Sequence, residues 1–483
     1  MSLARGWRRW ILAGIVALAI TFGVGLWFVE PYNPTYDAAY VGSDTCGTCH
    51  TGIHERWTAS SHARMTRRPS ETAVVGNFDG GSWTLPTASQ QRPEDGAPVA
   101  RMFKRNHKYY MALRHPHEDR YVPFEIAWVV GFQYRQVYLT EEEGGVLRRL
   151  PLQWSVPRGE FFPYWNFQEE SIPTVRDLWL QMGSLNSAWN LYCARCHTTH
   201  LEVRAKDQRH TRAVVDWLEP GIACEACHGP GSLHVGYFKT NYANRVAGFF
   251  QAKVRGRHAP YIASATKLDK GRASSVCARC HGTDILMSNT DIYRMYEPGF
   301  SRVGKTNDLS PYFYQTPLSP GRADPTIEVY LDGMPKGIGM LFRSFIESSC
   351  FKVSDVRCQD CHDPHDNRKP SIPGRLEPSS ESNAYCLGCH QTMVGQEEDH
   401  SGHRSGTPGS FCYDCHLPRT IEKITAGLRD RTRTHLMSSV PRPEDTVRFG
   451  IHGAPNACNE CHIDRTAQWA ADALNPPNGA RPE

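Results

Sequence analysis

The pentapeptide C-x-x-C-H occurs eight times in this chain of 483 residues. Sixteen of the 17 cysteines belong to these motifs, whereas a random sequence of the same composition would contain roughly 0.03 copies. We number the motifs 1 to 8 in chain order: Cys46/Cys49/His50, Cys193/Cys196/His197, Cys224/Cys227/His228, Cys277/Cys280/His281, Cys358/Cys361/His362, Cys386/Cys389/His390, Cys412/Cys415/His416 and Cys458/Cys461/His462. The chain must therefore fold around whatever these motifs bind.

The spacing of the motif matches covalent haem attachment. Two thiols add to the vinyl groups on one porphyrin edge, and the histidine behind the second cysteine becomes the proximal iron ligand. Zinc is an alternative, since eight cysteine pairs could close four Cys₄ sites, but zinc does not require a histidine at the fifth position. Thioredoxin-like redox pairs and a disulfide framework leave the histidine equally unexplained. The sequence therefore predicts eight covalently bound haem c groups, attached by the sixteen motif cysteines and ligated by the eight motif histidines.

The N-terminal segment has the length and composition of a membrane-spanning helix. Trp10 to Val29 is a run of 20 residues without a charge, and about 20 apolar residues span a bilayer. Arginines precede the run and none follows it directly, which predicts a cytoplasmic N-terminus. A cleaved signal peptide is the alternative. We expect a retained anchor, with the rest of the chain on the periplasmic side of a bacterial inner membrane, where haem c is attached.

The net charge excludes one class of partner. The formal charge is +4, but the propionates of eight haems would bring it to about −4 when oxidised and about −12 when reduced. Nucleic acid is therefore not an expected partner. The expected partners are the inner membrane and redox proteins, whose identity as electron donor or acceptor the sequence does not give.

The chain divides by motif density into six segments. We expect a mainly helical and irregular multihaem cytochrome c fold with a β-rich insert, one N-terminal transmembrane helix, and short helices and loops around the motifs. Strand-like patterns cover 122–130, 134–139 and 146–154, and a short helix covers 467–474. The segments are 1–29, the membrane anchor; 30–70, the first haem segment; 71–178, the β-rich insert; 179–290, haems two to four; 291–345, a Gly- and Pro-rich connection; and 346–483, haems five to eight.

Longer stretches around the motifs resemble a known family. Residues 40–63 (YVGSDTCGTCHTGIHERWTASSHA) and 221–234 (GIACEACHGPGSLH) resemble multihaem cytochromes related to the tetrahaem cytochrome that accepts electrons from hydroxylamine oxidoreductase. VVGNFDG at 74–80, CHDPH at 361–365 and PNACNECHIDRTAQWAADAL at 455–474 resemble bacterial multihaem cytochromes that often continue into tetratricopeptide repeats. The resemblance implies a multihaem fold and haem c cofactors.

The second axial ligands follow from matching motif positions within this resemblance. The favoured iron ligands are His62, His234, His365, His403 and His435. Weaker candidates are His54, His200, His258, His400 and His452, for which surface or propionate-contacting positions are the alternative. Methionine is a further ligand type, although no methionine stands out. Cys350, the cysteine outside the motifs, is either a small buried thiol or a thiolate ligand.

Two functions are compatible with this sequence. The first is an electron-transfer protein, in which the haems are six-coordinate and lie within tunnelling range of one another. The second is an oxidoreductase in which one open haem acts on a small nitrogen or sulfur compound such as hydroxylamine, nitrite or tetrathionate. We expect electron transfer, because no motif in the sequence identifies acid/base or substrate-binding groups beside an iron.

Overall fold

The structure is a computed structural model that describes residues 7, 10–18, 20–21, 38–85, 96–163, 174–184, 187–206, 212–281, 329–337, 341–366, 382–421, 431–437 and 442–475. The expected connection at 291–345 lies mostly outside these residues. The described residues at the N-terminus, 10–18 and 20–21, are helical and exposed. Within the described parts of the chain, no helix has the length and apolar character needed to cross a bilayer. The segment 22–29, which completes the expected anchor, lies outside them.

Short helices occupy most of the haem-binding parts of the chain. In order they are α1 Ser43–Gly47, α2 Thr51–Thr58, α3 Val175–Gly183, α4 Trp189–Tyr192, α5 Ala194–His197, α6 Cys224–His228, α7 Ser232–Thr240, α8 Tyr242–Phe249, α9 Lys270–His281, α10 Leu341–Glu347, α11 Ser349–Val353, α12 Ala384–Leu387, α13 Glu397–Ser401, α14 Cys412–His416, α15 Pro443–Phe449, α16 Cys458–Cys461 and α17 Ala467–Leu474. A π-helical turn, Phe250–Val254, continues α8. The predicted helix 467–474 is confirmed as α17, which Thr466 caps through its side chain.

The strands form three antiparallel sheets. They are β1 Thr66–Arg67, β2 Ser82–Trp83, β3 Ala100–Arg105, β4 Lys108–Arg114, β5 Tyr121–Glu125, β6 Trp128–Val130, β7 Arg135–Glu142, β8 Val146–Ser155, β9 Glu160–Pro163, β10 Thr198–Lys206 and β11 Ala213–Pro220. One sheet has the order β1-β6-β7-β8-β9, the second β2-β3-β4-β5, and β10 pairs with β11. The strand-like patterns of the sequence thus correspond to β5 to β8, except that the first of them divides into β5 and β6.

The β-rich insert owes its stability to a core of its own between the two larger sheets. Phe78, Met102, Met111, Tyr138 and Leu150 are fully buried in this core. Pro151 lies within β8, and the pairing of β8 with β7 shifts register at this point. A bulge suits proline because proline has no N–H to donate to the ladder. The insert is therefore a folded unit without a haem-binding motif.

The hairpin of β10 and β11 connects motif 2 directly to motif 3 and was not expected from the sequence. The carbonyl of His197, the last residue of α5, accepts hydrogen bonds from the hydroxyl of Thr66 at 2.7 Å and from the N–H of Gly221 at 3.1 Å. Gly221 has φ +78°, and a Cβ there would lie 2.6 Å from the carbonyl oxygen of Ala63. Glycine is required at this position, and its close approach fixes the backbone beside His62.

Candidate haem-binding sites

The fold of the motif places its three reactive side chains on one face. In motifs 1, 5, 6 and 8 the N–H of the histidine donates to the carbonyl of the first cysteine at 2.9 Å. This bond closes one helical turn, and residues i, i+3 and i+4 of such a turn lie on the same side. Both thiols and the imidazole consequently face one volume, as attachment of a porphyrin edge and ligation of its iron require.

The second cysteines of motifs 2 and 4, Cys196 and Cys280, are half-buried, as are those of motifs 3, 5 and 7. Cys196 lies in α5, and its own N–H donates to the carbonyl of Cys193 at 3.0 Å, the same type of bond that Cys361 of motif 5 makes to Cys358 at 3.2 Å. Cys280 lies near the end of α9, a helix of 12 residues. The expectation of a short helix or loop is wrong there, because the buried side chains of Ala273 and Val276 extend the helix. Haem attachment at Cys196 and Cys280 stays a prediction.

Six motif histidines face a second imidazole from another part of the chain. The distances between ring centres all fall between 6.1 and 6.4 Å. The pairs are His50 with His234, His281 with His62, His228 with His365, His362 with His435, His416 with His400, and His462 with His403.

The spacing within these pairs fits one metal ion between two imidazoles. Two metal–nitrogen bonds of about 2.0–2.1 Å account for about 4 Å of it, and the remainder corresponds to the distance from each ring nitrogen to its ring centre. Rings in direct contact would lie closer, as do those of Tyr40 and His200 at 3.9 Å. The described residues contain no group of three or more His, Cys, Asp or Glu side chains placed to hold a metal ion. The residues present therefore fit a haem iron held by two axial histidines.

Backbone carbonyls fix the orientation of several of these rings. The Nδ1 atom of His228 lies 2.7 Å from the carbonyl oxygen of Ala263, and that of His234 lies 2.7 Å from the carbonyl of Pro260. The Nδ1 atom of His403 lies 2.8 Å from the carbonyl of Ser401. A carbonyl oxygen only accepts, so Nδ1 carries the proton and Nε2 keeps its lone pair for a metal.

Burial favours the neutral imidazole at six of the paired histidines, which are His62, His228, His234, His281, His362 and His435. It lowers the pKa of His435 to about 4 and also lowers the pKa of His62, because a charged imidazole loses its hydration in these positions. The same effect lowers the pKa of the motif 2 ligand His197 to about 4. Metal ligation requires the neutral form, which these residues hold at neutral pH without any compensating carboxylate.

The structure brings all five favoured distal histidines opposite a motif histidine. It does the same for His400, one of the weaker candidates. His400 and His403 flank the end of α13 and face motifs 7 and 8, respectively. Two histidines three residues apart between two motifs are the sequence signal that could have ranked His400 higher.

The other four weaker candidates have different surroundings. The ring of His54 lies 5.5 Å from that of Trp57. His200 stacks on Tyr40, and the Nδ1 atom of His258 accepts a hydrogen bond from the N–H of Ser264. His452 is exposed. None of them faces a motif histidine within the described parts of the chain.

Cysteines of different motifs touch and so reveal which motifs are neighbours. The thiols of Cys46 and Cys224 lie close enough together for each to shift the pKa of the other, which joins motif 1 to motif 3. Equivalent thiol contacts join motif 4 to motif 5 and motif 6 to motif 7; these are Cys277 with Cys358, and Cys386 with Cys412. Each contact places the attachment edges of two haem sites side by side.

Looser electrostatic contacts link these three pairs into one row. The contact with Cys358 and burial raise the pKa of Cys277 most strongly, and the charge of Cys227 adds a smaller contribution, which places motif 3 near motif 4. In the same way motif 5 lies near motif 6 through Cys361 and Cys389, and motif 7 lies near motif 8 through Cys415 and Cys458. The spatial order is therefore 1-3-4-5-6-7-8. Motif 2 stands beside this row, where His197 lies near His281 of motif 4.

Two carboxylates hold motif 1 against motif 3. Glu225, inside motif 3, is buried and accepts hydrogen bonds from the N–H groups of Val41 and Gly42 at 2.8–3.1 Å. Glu219, at the end of β11, accepts from the N–H and hydroxyl of Ser43. These bonds satisfy the free N–H groups at the start of α1 and fix the thiol contact between the two motifs.

Motifs 2 and 6 also differ from the other six in their histidines. Among the described residues no second histidine faces His197 or His390. Cys350, in α11, lies close enough to Cys389 of motif 6 for that charge to affect its pKa, which burial raises most strongly. The cysteine outside the motifs is thus a neighbour of a motif that lacks a histidine partner in the described structure.

Two family models match parts of the chain. The doubled CXXCH motif matches residues 351–395, and the family of cytochrome c554 and c-prime matches residues 179–229. These segments cover motifs 5 and 6, and motifs 2 and 3, respectively. No curated protein matches the chain.

Solved structures of multihaem proteins show low similarity to the chain. The outer cell wall cytochrome OcwA is 18% identical with a TM-score of 0.49, over 90% of this chain and 88% of that one. An undecaheme cytochrome from the S-layer of Carboxydothermus ferrireducens is 15% identical with a TM-score of 0.35, over 92% of this chain and 62% of that one. The octaheme sulfite reductase MccA of Wolinella succinogenes is 16% identical with a TM-score of 0.34, over 84% and 59%. These identities and TM-scores are too low to assign the reaction or the partner of any of these proteins to this chain.

The two family matches and the motifs themselves agree on the class of protein. Motifs outside the matched segments have the same sequence pattern as those inside them. The chain is therefore a multihaem c-type cytochrome, a protein of electron transfer that binds haem covalently through its CXXCH motifs.

Proposed function

We propose that this cytochrome carries electrons along eight haems, from motif 1 through motifs 3, 4, 5, 6 and 7 to motif 8, with motif 2 as a side branch. The observation that carries the proposal is the unbroken row of neighbouring motifs. Bound haem supplies reversible one-electron chemistry at each site. The chain's own contribution is to fix the distances and to hold at least six irons between two histidines.

Both ends of the row reach the surface. Cys49 of motif 1 and Cys461 of motif 8 are exposed, and so is Cys389 of motif 6. A redox partner must approach a haem edge closely to exchange electrons with it. A haem attached to an exposed cysteine has such an accessible edge. We therefore assign motifs 1 and 8 as the terminal sites for a donor and an acceptor protein.

The haem count gives the first test of the proposal. All eight motifs are complete, so protein matured in a bacterial periplasm should show eight covalent haem additions in its intact mass under denaturing conditions. Zinc would be lost in the same measurement and would add no mass. A fully matured preparation with fewer than eight additions would contradict the count.

Membrane attachment forms the second part of the proposal. Trp10, Leu12 and Leu18 lie on the N-terminal helix and are 80%, 67% and 75% exposed. A helix that is apolar on all sides suits a lipid environment better than water. We propose that this helix and the residues after it anchor the cytochrome on the periplasmic side of the inner membrane.

Extraction tests this anchor. Full-length cytochrome should stay with the membranes after an alkaline carbonate wash, because apolar rather than ionic contacts hold it. A variant in which a cleavable signal replaces residues 1–29 should be released as soluble, haem-loaded protein. Native cytochrome recovered in the soluble periplasm without its N-terminus would contradict the anchor.

A second candidate function follows from motifs 2 and 6. If no other side chain ligates these irons, one of them offers an open position at which a small nitrogen or sulfur compound could be converted. Electron transfer remains the better-supported function, because six of the eight motif histidines already have a partner at metal-binding distance. Turnover of nitrite, hydroxylamine or tetrathionate by the purified cytochrome would favour the second function.

A further inference from the structure

An exposed apolar ridge runs along α8 and the π-helical turn that continues it. Tyr242, Val246, Phe249, Phe250 and Val254 follow the spacing that lines one helix face, and all five are exposed. Tyr242 is 78% and Phe249 62% exposed, values usual for solvated polar residues rather than for aromatic ones. An apolar ridge of this length marks a surface that another body covers.

Packing against α7 fixes the direction of the ridge. The buried residue of α8 is Gly248, where an added Cβ would lie 2.4 Å from the ring of Phe238. On the same side the amide of Asn244 donates to the carbonyl of Tyr237 at 3.0 Å. Because α7 and α8 meet through these small and polar groups, the ridge points away from α7.

The stretch of chain that carries the ridge has only positive charges. Residues 226–268 contain six Lys and Arg and neither Asp nor Glu. Lys239, at the end of α7, and Lys253, in the π-helical turn, are exposed. An apolar ridge flanked by cations has the composition of a helix that lies in the interface of an anionic bilayer.

The chain that leads from the N-terminal helix runs to this surface. The N–H of Ala39 donates to the hydroxyl of Ser232 at 2.8 Å, and the N–H of Ser232 donates to the carbonyl of Ala39 at 3.0 Å. Ser232 is the first residue of α7. Val29 and Ala39 are ten positions apart along the chain, and this length of chain spans at most about 36 Å. The start of α7 thus stays close to any membrane that holds the anchor.

We propose that the ridge of α8 docks on the anionic surface of the membrane that holds the N-terminal helix. The docked helix would fix the cytochrome at a second point, on the side of motifs 1 and 3, because His234 of α7 faces His50 of motif 1. The inference rests on the proposed membrane attachment. The docking would orient the motif 1 end of the haem row toward the lipid and the motif 8 end away from it.

Photo-cross-linking in lipid nanodiscs tests the docking with the full-length haem-loaded protein. The variant Phe249→p-benzoylphenylalanine should form lipid adducts in nanodiscs that contain phosphatidylglycerol, and fewer in nanodiscs of phosphatidylcholine alone. The control is Tyr134→p-benzoylphenylalanine in the β-rich insert, a residue of similar exposure at 59%, which should form none. Adding Lys239→Gln and Lys253→Gln should lower the ratio of docked to undocked protein roughly fivefold for each lysine.

The possible failures are distinct. Protein that is not retained in nanodiscs overturns both the anchor and the docking. Protein that is retained but forms no more lipid adduct at Phe249 than at Tyr134 overturns the docking alone. If the lipid adduct at Phe249 depends neither on phosphatidylglycerol nor on the two lysines, the proposed attraction between the lysines and anionic lipid is wrong. If Phe249 cross-links to a protein in native membranes instead of to lipid, the ridge binds a protein partner and the proposed docking on lipid is wrong.

Discussion

Replacement of His400 by alanine should convert one haem from six to five ligands. The ring of His400 lies 6.1 Å from that of His416, a spacing within the narrow range of all six histidine pairs. In the oxidised His400→Ala cytochrome, one low-spin EPR signal should be replaced by a high-spin signal. The reduced protein should bind one more carbon monoxide per chain than the unsubstituted cytochrome. Added imidazole should restore the low-spin signal, because it fills the vacated position.

The matched control for this prediction is His452→Ala. From the sequence His452 and His400 were equal candidates, and both are exposed in the structure. Only His400 faces a motif histidine, so the His452→Ala spectrum should be unchanged. Since both positions are exposed, neither substitution creates a large cavity that would unfold the protein. Identical spectra for the two variants would show that the histidine pair at motif 7 does not ligate an iron.

Local chemistry could be predicted from the sequence where a residue's neighbours along the chain decide its role. The motif places two thiols and an imidazole within one turn, so haem attachment can be predicted without knowledge of the tertiary structure. The helix 467–474 could also be predicted, because its cap and its apolar face lie within nine consecutive residues. Strands β5 to β8 of the insert followed from local strand-like patterns for the same reason, whereas β2, β3, β4 and β9 were not predicted.

The pairing of histidines could not be predicted, because it joins distant parts of the chain. His403 precedes motif 7 but faces motif 8, and His435 precedes motif 8 but faces motif 5. The row of motifs departs from chain order at motif 2 for a related reason. The hairpin of β10 and β11 carries the backbone away after His197 and returns it at Glu219, which binds Ser43 of motif 1. Only the folded structure shows these contacts.

Removal of motif 6 should interrupt the haem row, whereas removal of motif 2 should leave it intact. The variant Cys386→Ala/Cys389→Ala loses the site between motifs 5 and 7, and Cys193→Ala/Cys196→Ala loses the side branch. The two variants are matched, because neither motif has a histidine partner among the described residues and all six histidine pairs remain. Intact mass should show seven haems in each variant, which checks that the rest of the protein matured.

Light-driven electron injection at one end of the row measures how fast electrons reach the other end in each variant. A photosensitiser attached at Ile463→Cys, in a Cys350→Ser background, injects electrons beside motif 8, where Ile463 is 84% exposed. The substitution His234→Met marks the other end, because methionine ligation raises the potential of the motif 1 haem and makes it the electron trap. The account predicts that loss of motif 6 slows arrival at motif 1 by at least an order of magnitude, while loss of motif 2 leaves the rate nearly unchanged. Equal rates in the two variants, or a slower rate after loss of motif 2, would contradict the proposed order of the haem row.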